Sequence, residues 1–163
     1  MMKNLKTYKQ LFENLNKDYI YLSHDFNSDP NYDPDTEVFI DFIKDKNPNI
    51  IDSNKEPLVF HIYYNNYLYK SEIKDIIKIM IKNGLDVNVK YETTLLYEIA
   101  NDQQIDYELM YILIDAGADW TIEFNGDTFL DVMYNNEREK VIEKYPEKYE
   151  RYLKNRKAKE FNL

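Results

Sequence analysis

Apolar residues fall at positions 73, 76, 77, 80 and 81, the i, i+3, i+4 spacing of a helix buried along one face, so the pattern predicts a helix ending near Lys82. Leu109, Met110, Ile112, Leu113 and Ile114 repeat the arrangement and predict a second. Leu5, Tyr8, Leu11, Phe12 and Leu15 mark a further helix over residues 4 to 16, and Val38, Phe39, Phe42 and Ile43 another over Thr36 to Lys46. Between these two, Tyr19 to Phe26 fits a strand, a short helix or the first helix of a degenerate repeat equally, and Asn27-Ser28-Asp29-Pro30-Asn31-Tyr32-Asp33-Pro34 is an acidic loop of turn formers. Toward the other end Val141 and Ile142 mark a weaker helix over Glu137 to Tyr145. Pro146 then opens a charged segment that reads as a capping helix.

The punctuation of the pattern is more specific than the pattern. Asn83-Gly84-Leu85-Asp86-Val87-Asn88 and Ala116-Gly117-Ala118-Asp119-Trp120-Thr121 each close one of the two strongest helices, and their glycines are 33 positions apart (117 − 84). A glycine there suits the left-handed residue that ends a helix, a conformation costing most other residues about 1 to 2 kcal/mol. Both motifs resemble the G-A-D-V-N turn that ends the second helix of an ankyrin repeat, and 33 residues is the length of that repeat.

The resemblance implies a first helix in each unit that carries something like T-P-L-H-x-A. Glu56-Pro57-Leu58-Val59-Phe60-His61-Ile62, Thr93-Thr94-Leu95-Leu96-Tyr97-Glu98-Ile99 and Thr128-Phe129-Leu130-Asp131-Val132-Met133-Tyr134 stand in its place. The first two begin 37 residues apart (93 − 56), as do Asn49 and Asp86 (86 − 49), which reads as one extended repeat with its extra residues between the helices, at Tyr63-Tyr64-Asn65-Asn66-Tyr67-Leu68-Tyr69. His61, Glu98 and Met133 replace the usual small alanine. Either successive first helices pack differently from the family or the alignment is shifted by one residue.

The fold expected is all-α: an ankyrin-like α-solenoid of about 3–4 helix-turn-helix repeats with N- and C-terminal capping helices. It would form a single domain over 1–163, with the N-terminal cap and acidic loop at 1–35, the repeats at 36–145 and the C-terminal cap at 146–163.

Composition narrows the function classes. With 163 residues, 44% hydrophobic and 31% charged, the chain can bury one core. It has no apolar run of membrane-spanning length and no leader pattern, which points to a cytoplasmic protein. Zero cysteines exclude disulfides, thiol catalysis and thiolate metal sites. Sixteen tyrosines discount any single one as a signal, but clusters of them suit a binding surface.

The net charge of −9 is uneven: Asp18 to Asp45 holds eight acids against Lys44, whereas Arg138 to Glu160 holds nine Lys or Arg against five Glu. The overall sign disfavours nucleic acid and favours a basic protein partner.

Candidate chemistry is sparse. His24 and His61 stand far apart with no metal-ligand spacing, and the Asp29 to Asp35 run lacks the glycine and the twelfth-position Glu of a calcium loop. No metal and no cofactor are expected. On the resemblance, His61 and Glu98 occupy equivalent positions on adjacent repeats, where a structural polar contact is favoured over acid–base chemistry because no nucleophile or third orienting group accompanies them. Trp120 is expected in the core, since the equivalent Val87 and Ile50 are apolar.

The resemblance further places the contact surface on the projecting turns and first helices. The candidate partner-binding residues are Asp52, Asn54, Lys55, Glu56, Tyr63, Tyr64, Tyr67, Lys90, Tyr91, Glu92, Glu123, Phe124 and Asn125. Phe124, at a turn tip, is expected to be an exposed anchor. The expectation is a protein that is not an enzyme and is monomeric when free. It would be an inhibitor or immunity-type protein occluding a basic partner, or else a general ankyrin adaptor. A ligand or enzymatic site around His61 and Glu98 is the contrasting class.

Overall fold

Each named element of the described residues is an α-helix. The computed structural model describes residues 47–51, 55–64 and 68–161. In them the order is α1 (Leu58–Tyr63), α2 (Lys70–Lys82), α3 (Leu95–Asn101), α4 (Tyr107–Asp115), α5 (Phe129–Val132), α6 (Asn135–Lys144) and α7 (Pro146–Phe161). Extended pairing among the described residues is limited to isolated bridge residues, among them the antiparallel pairs Ile51 with Pro57 and Phe124 with Asp127. The all-α class expected from the sequence is therefore observed. The helices expected over 4–16 and Thr36 to Lys46, the segment from Tyr19 to Phe26 and the acidic loop lie outside the described residues, as does His24.

The chain divides into two compact units, Met1–Tyr91 and Glu92–Leu163. The boundary falls within the run 36–145 assigned to repeats, between the two glycine motifs.

In the first unit α1 follows Pro57, whose ring fixes φ near the −69° observed. It buries Leu58, Val59, Phe60 and Ile62. These pack against α2, which contributes Ile73, Ile76, Ile77 and Met80, the inward face expected from the 3.6-residue spacing. Each such side chain stabilises by about 1.5 to 3 kcal/mol on full burial. The Glu72 carboxylate accepts the Tyr69 N–H at 2.7 Å, satisfying one donor where α2 begins.

The far end of α2 is closed by Gly84 at φ +90°. Its N–H donates to the Ile81 carbonyl at 3.0 Å and the Leu85 N–H to the Met80 carbonyl at 2.9 Å, the paired bonds of a Schellman motif. Asp86 then accepts the Asn88 N–H at 2.9 Å. Asn49, 37 residues upstream (86 − 49), clasps this turn from its side chain, donating to the Gly84 carbonyl at 2.8 Å and accepting from the Asp86 N–H at 2.7 Å.

The second unit repeats the Schellman pair and the Asp-centred turn. Gly117, at φ +98°, donates to the Ile114 carbonyl at 3.2 Å while Ala118 donates to Leu113 at 3.0 Å. Asp119 accepts the Thr121 N–H at 2.8 Å, as Asp86 accepts that of Asn88. Upstream, Thr94 caps α3 by accepting the Tyr97 N–H at 3.3 Å, and Asp106 caps α4 by accepting that of Leu109 at 3.1 Å. α3 packs on both α4 and α5, burying Leu95, Leu96, Ile99 and Ala100. Trp120 is 5% exposed and sits edge-on to Phe129 at 5.3 Å, with Tyr145 and Tyr152 at 6.2 and 6.5 Å. Its place in the core is as expected.

Two expectations change. Pro57 and Thr94, the residues before α1 and α3, are 37 apart (94 − 57). Tyr69 and Asp106, before α2 and α4, are also 37 apart (106 − 69). From the start of the first helix to the start of the second the two pairs are therefore equally long (69 − 57 and 106 − 94 are both 12). The extra residues lie in α2, 13 residues long against 9 in α4. Four residues make just over one helical turn, about 6 Å of length, so the apolar face is preserved.

The second change concerns register. Thr94, not Thr93, stands where Thr128 stands at the start of a helix. Four residues beyond each cap, the position aligned with Glu98 is therefore Val132, not Met133.

Candidate protein-binding surfaces

The projecting turn before α5 is a two-residue hairpin. Phe124 and Asp127 exchange both backbone hydrogen bonds, at 2.8 and 3.0 Å, around Asn125 at φ +53° and Gly126 at φ +92°. Positive φ at both central residues makes this a type I′ turn, for which Asn-Gly is the favoured pair. The tip is thus Asn125-Gly126. Phe124 is not the exposed anchor expected: it flanks the tip, half-buried, with its ring edge-on to Tyr97 at 5.6 Å. The two rings attract because the positive edge of one meets the negative face of the other.

In the first unit the structure brings Tyr64 and Tyr91 against buried Phe60, with Tyr63 against Tyr64. Tyr63 and Tyr64 lie 5.1 Å apart, and Phe60 lies 6.4 Å from Tyr64 and 6.0 Å from Tyr91. Tyr64 and Tyr91 remain 49% and 41% exposed, so a ring face on a rigid base meets solvent, as an aromatic anchor requires. Lys55 and Lys90 are exposed, Lys55 at φ +68°. Glu56 lies 3.8 Å from the His61 Nδ1. Asp52, Asn54 and Tyr67 lie outside the described residues.

In the second unit Glu92 and Asn125 are exposed, and Glu123 is paired with Lys159 at 3.1 Å. Glu98 accepts a hydrogen bond from the Thr93 hydroxyl. His61 and Glu98 thus belong to different units, each with a polar neighbour in its own.

One electrostatic feature was missed although it is written in the sequence. Between Lys90 and Arg138 there is no Lys, Arg or His, whereas eleven Asp and Glu occur. The field of this stretch is visible at Tyr97. Burial pushes its phenol up first, and the charges of Asp127, Glu98 and Asp131 push it further.

The basic residues after Arg138 fold back onto this acidic stretch. Arg156 donates to the Asp131 carboxylate at 2.8 and 3.1 Å and to the Tyr152 hydroxyl at 2.7 Å. Thr128 completes the cluster, its hydroxyl 2.8 Å from Asp131 and 3.1 Å from Tyr152. Burial would raise the Asp131 pKa, but the hydrogen bonds from Arg156 and Thr128 outweigh it and hold the carboxyl below its ordinary value. Lys148 donates to the Ile114 carbonyl at 2.6 Å, a cation at the negative end of α4. Lys140, Lys144 and Lys148 stand over the rings of Tyr107, Tyr111 and Tyr145 at 4.8, 4.6 and 5.8 Å. Burial and a hydrogen bond with Asp115 push the Tyr145 phenol well up.

Among the described residues no group of three or more His, Asp or Glu is placed to hold a metal ion, and no helix is long and apolar enough to cross a membrane. No protein-family model, curated protein or solved structure matches the chain.

Proposed function

We propose that this chain is a protein-binding module of the ankyrin type, about 3–4 helix-turn-helix repeats in a solenoid, that acts in the cytoplasm as a stoichiometric inhibitor of a basic protein. The repeat reading is supported by the two glycine turns, which share a Schellman motif and an Asp-centred turn at a spacing of 33 residues (117 − 84). Ordinary helix ends share the glycine but not the whole set of bonds.

The observation that carries the choice of partner is the stretch from Lys90 to Arg138, with eleven acids and no base. An excess of one sign accelerates encounter with the opposite sign and repels its own. Tyr64 and Tyr91 would supply the aromatic anchors, because exposed rings packed on Phe60 need little further ordering when a partner covers them.

Affinity capture with the tagged chain from its native cell, followed by mass spectrometry and binding kinetics with the captured protein, tests this reading. The expected partner is basic and loses its own activity in a 1:1 complex. Glu92→Lys slows association and flattens its salt dependence, while Tyr91→Ala speeds dissociation. An acidic partner, or unchanged kinetics in both variants, refutes the reading. A basic partner that stays active in the complex replaces inhibition with an adaptor role.

A further inference from the structure

We infer that α7 is a displaceable internal competitor: its basic side chains occupy the acidic surface of the second unit, and a cationic helix of the partner takes their place. The inference rests on the proposed basic partner and specifies what that partner presents.

Three observations carry it. First, α7 is lightly held. Of its residues from Pro146 to Lys159 only Tyr152 is buried, and an element with few buried side chains opens at lower cost than the core does.

Second, its polar anchors share one chemistry. Lys148 reaches the Ile114 carbonyl at 2.6 Å, Arg156 the Asp131 carboxylate at 2.8 Å and Lys159 that of Glu123 at 3.1 Å. Each of these three is a cation on an oxygen, the chemistry that an acidic surface offers a basic partner; the remaining anchor is the neutral pair of the Tyr152 and Thr128 hydroxyls at 3.1 Å.

Third, the outermost of these contacts are wet. The Lys159 and Glu123 side chains are 58% and 44% exposed; Arg156 is 44% exposed, although its partner Asp131 is only 21% exposed. Exposed ion pairs of this kind are weak and screened by salt, so a second cationic segment can compete for the same carboxylates. Asp131 is the specific position. Its carboxylate is oriented by the Thr128 hydroxyl and accepts a guanidinium that also touches the Tyr152 hydroxyl. A competing helix therefore needs an arginine at this point, with an aromatic about one turn before it to replace Tyr152 beside Trp120.

The test uses the full chain and, as probe, a fluorescent synthetic peptide of residues 146–163. Arg156→Glu combined with Lys159→Glu loosens α7 without touching its receptor. This variant should bind the peptide at least tenfold more tightly than the wild type does. Adding Asp131→Asn and Glu123→Gln should abolish that gain. Equal binding to the wild type and the loosened variant, or none to either while both keep their circular dichroism, overturns the inference and makes α7 a permanent cap.

Hydrogen exchange on the wild type gives an independent reading should the charge-reversed variant unfold. Amides of α7 should exchange at least tenfold faster than those of α3 and α4, and faster still as salt is raised. Exchange as slow as in α3 overturns the inference. These outcomes do not depend on the natural partner, so a failure here leaves the basic-partner reading standing. Failure to capture a basic protein would leave the exchange result standing in turn.

Discussion

Replacing Gly117 by L-alanine isolates the backbone term in the repeated turn. At φ +98° the residue lies where an L side chain is strained, and a Cβ built there meets nothing within 4 Å. Packing therefore adds no cost, and the penalty is conformational, about 1 to 2 kcal/mol. Alanine also restricts the unfolded chain, which returns about 0.4 to 1 kcal/mol. The expected net loss is about 1 kcal/mol. D-alanine, introduced by ligation, keeps the second effect and removes the first, so it should stabilise by about 0.4 to 1 kcal/mol. Urea unfolding followed by the fluorescence of Trp120, the only tryptophan and in the same unit, measures both. The slope against urea should not change, since neither variant alters the area exposed. Equal destabilisation by the two enantiomers, or a loss above about 3 kcal/mol with L-alanine, would refute the argument. Either would mean that the site is governed by packing and not by φ.

Two further expectations concern the second unit. The Asp131 pKa is lowered in the fold, so its contribution is present above the unfolded carboxylate value of about 4 and lost as pH falls through the folded one. Asp131→Asn should be less stable at neutral pH and lose less on acidification, read as urea midpoints between about pH 6 and 2; an acid slope equal to the wild type's would exclude Asp131 as the titrating group. The Trp120 Nε1 is buried without a hydrogen-bond acceptor among the described residues. Trp120→Ala should cost about 3 to 5 kcal/mol. Trp120→Phe should cost much less: both variants remove the unpaired donor, but the phenyl ring keeps most of the packing against Phe129. Equal losses by thermal unfolding would show that ring packing at this position carries no weight.

What the sequence determined by itself was local. A glycine after an amphipathic segment, followed two residues later by Asp, specifies a helix end within about six residues. The turns at Gly84 and Gly117 could therefore be read without knowing anything distant. The inward faces of α2 and α4 were legible for the same reason, since the 3.6-residue period is a property of the helix alone. So was the acidic stretch between Lys90 and Arg138, a charge pattern that needed only a count along the chain.

Tertiary structure decided what depends on residues far apart or on length. A spacing of 37 residues between first helices is the same whether a loop or a helix is longer. Only the placement of Tyr69 and Asp106 assigned the extra turn to α2. Phe124 looked like a tip aromatic until Tyr97, 27 positions away (124 − 97), supplied its partner ring. The pairs Asp131–Arg156 and Glu123–Lys159 span 25 and 36 residues (156 − 131 and 159 − 123). No short-range pattern selects among nine C-terminal bases and eleven acids, because long side chains of opposite charge attract at many registers. For Arg156 the register follows from Tyr152, four residues before it (156 − 152), which packs 6.5 Å from Trp120 and accepts from the guanidinium.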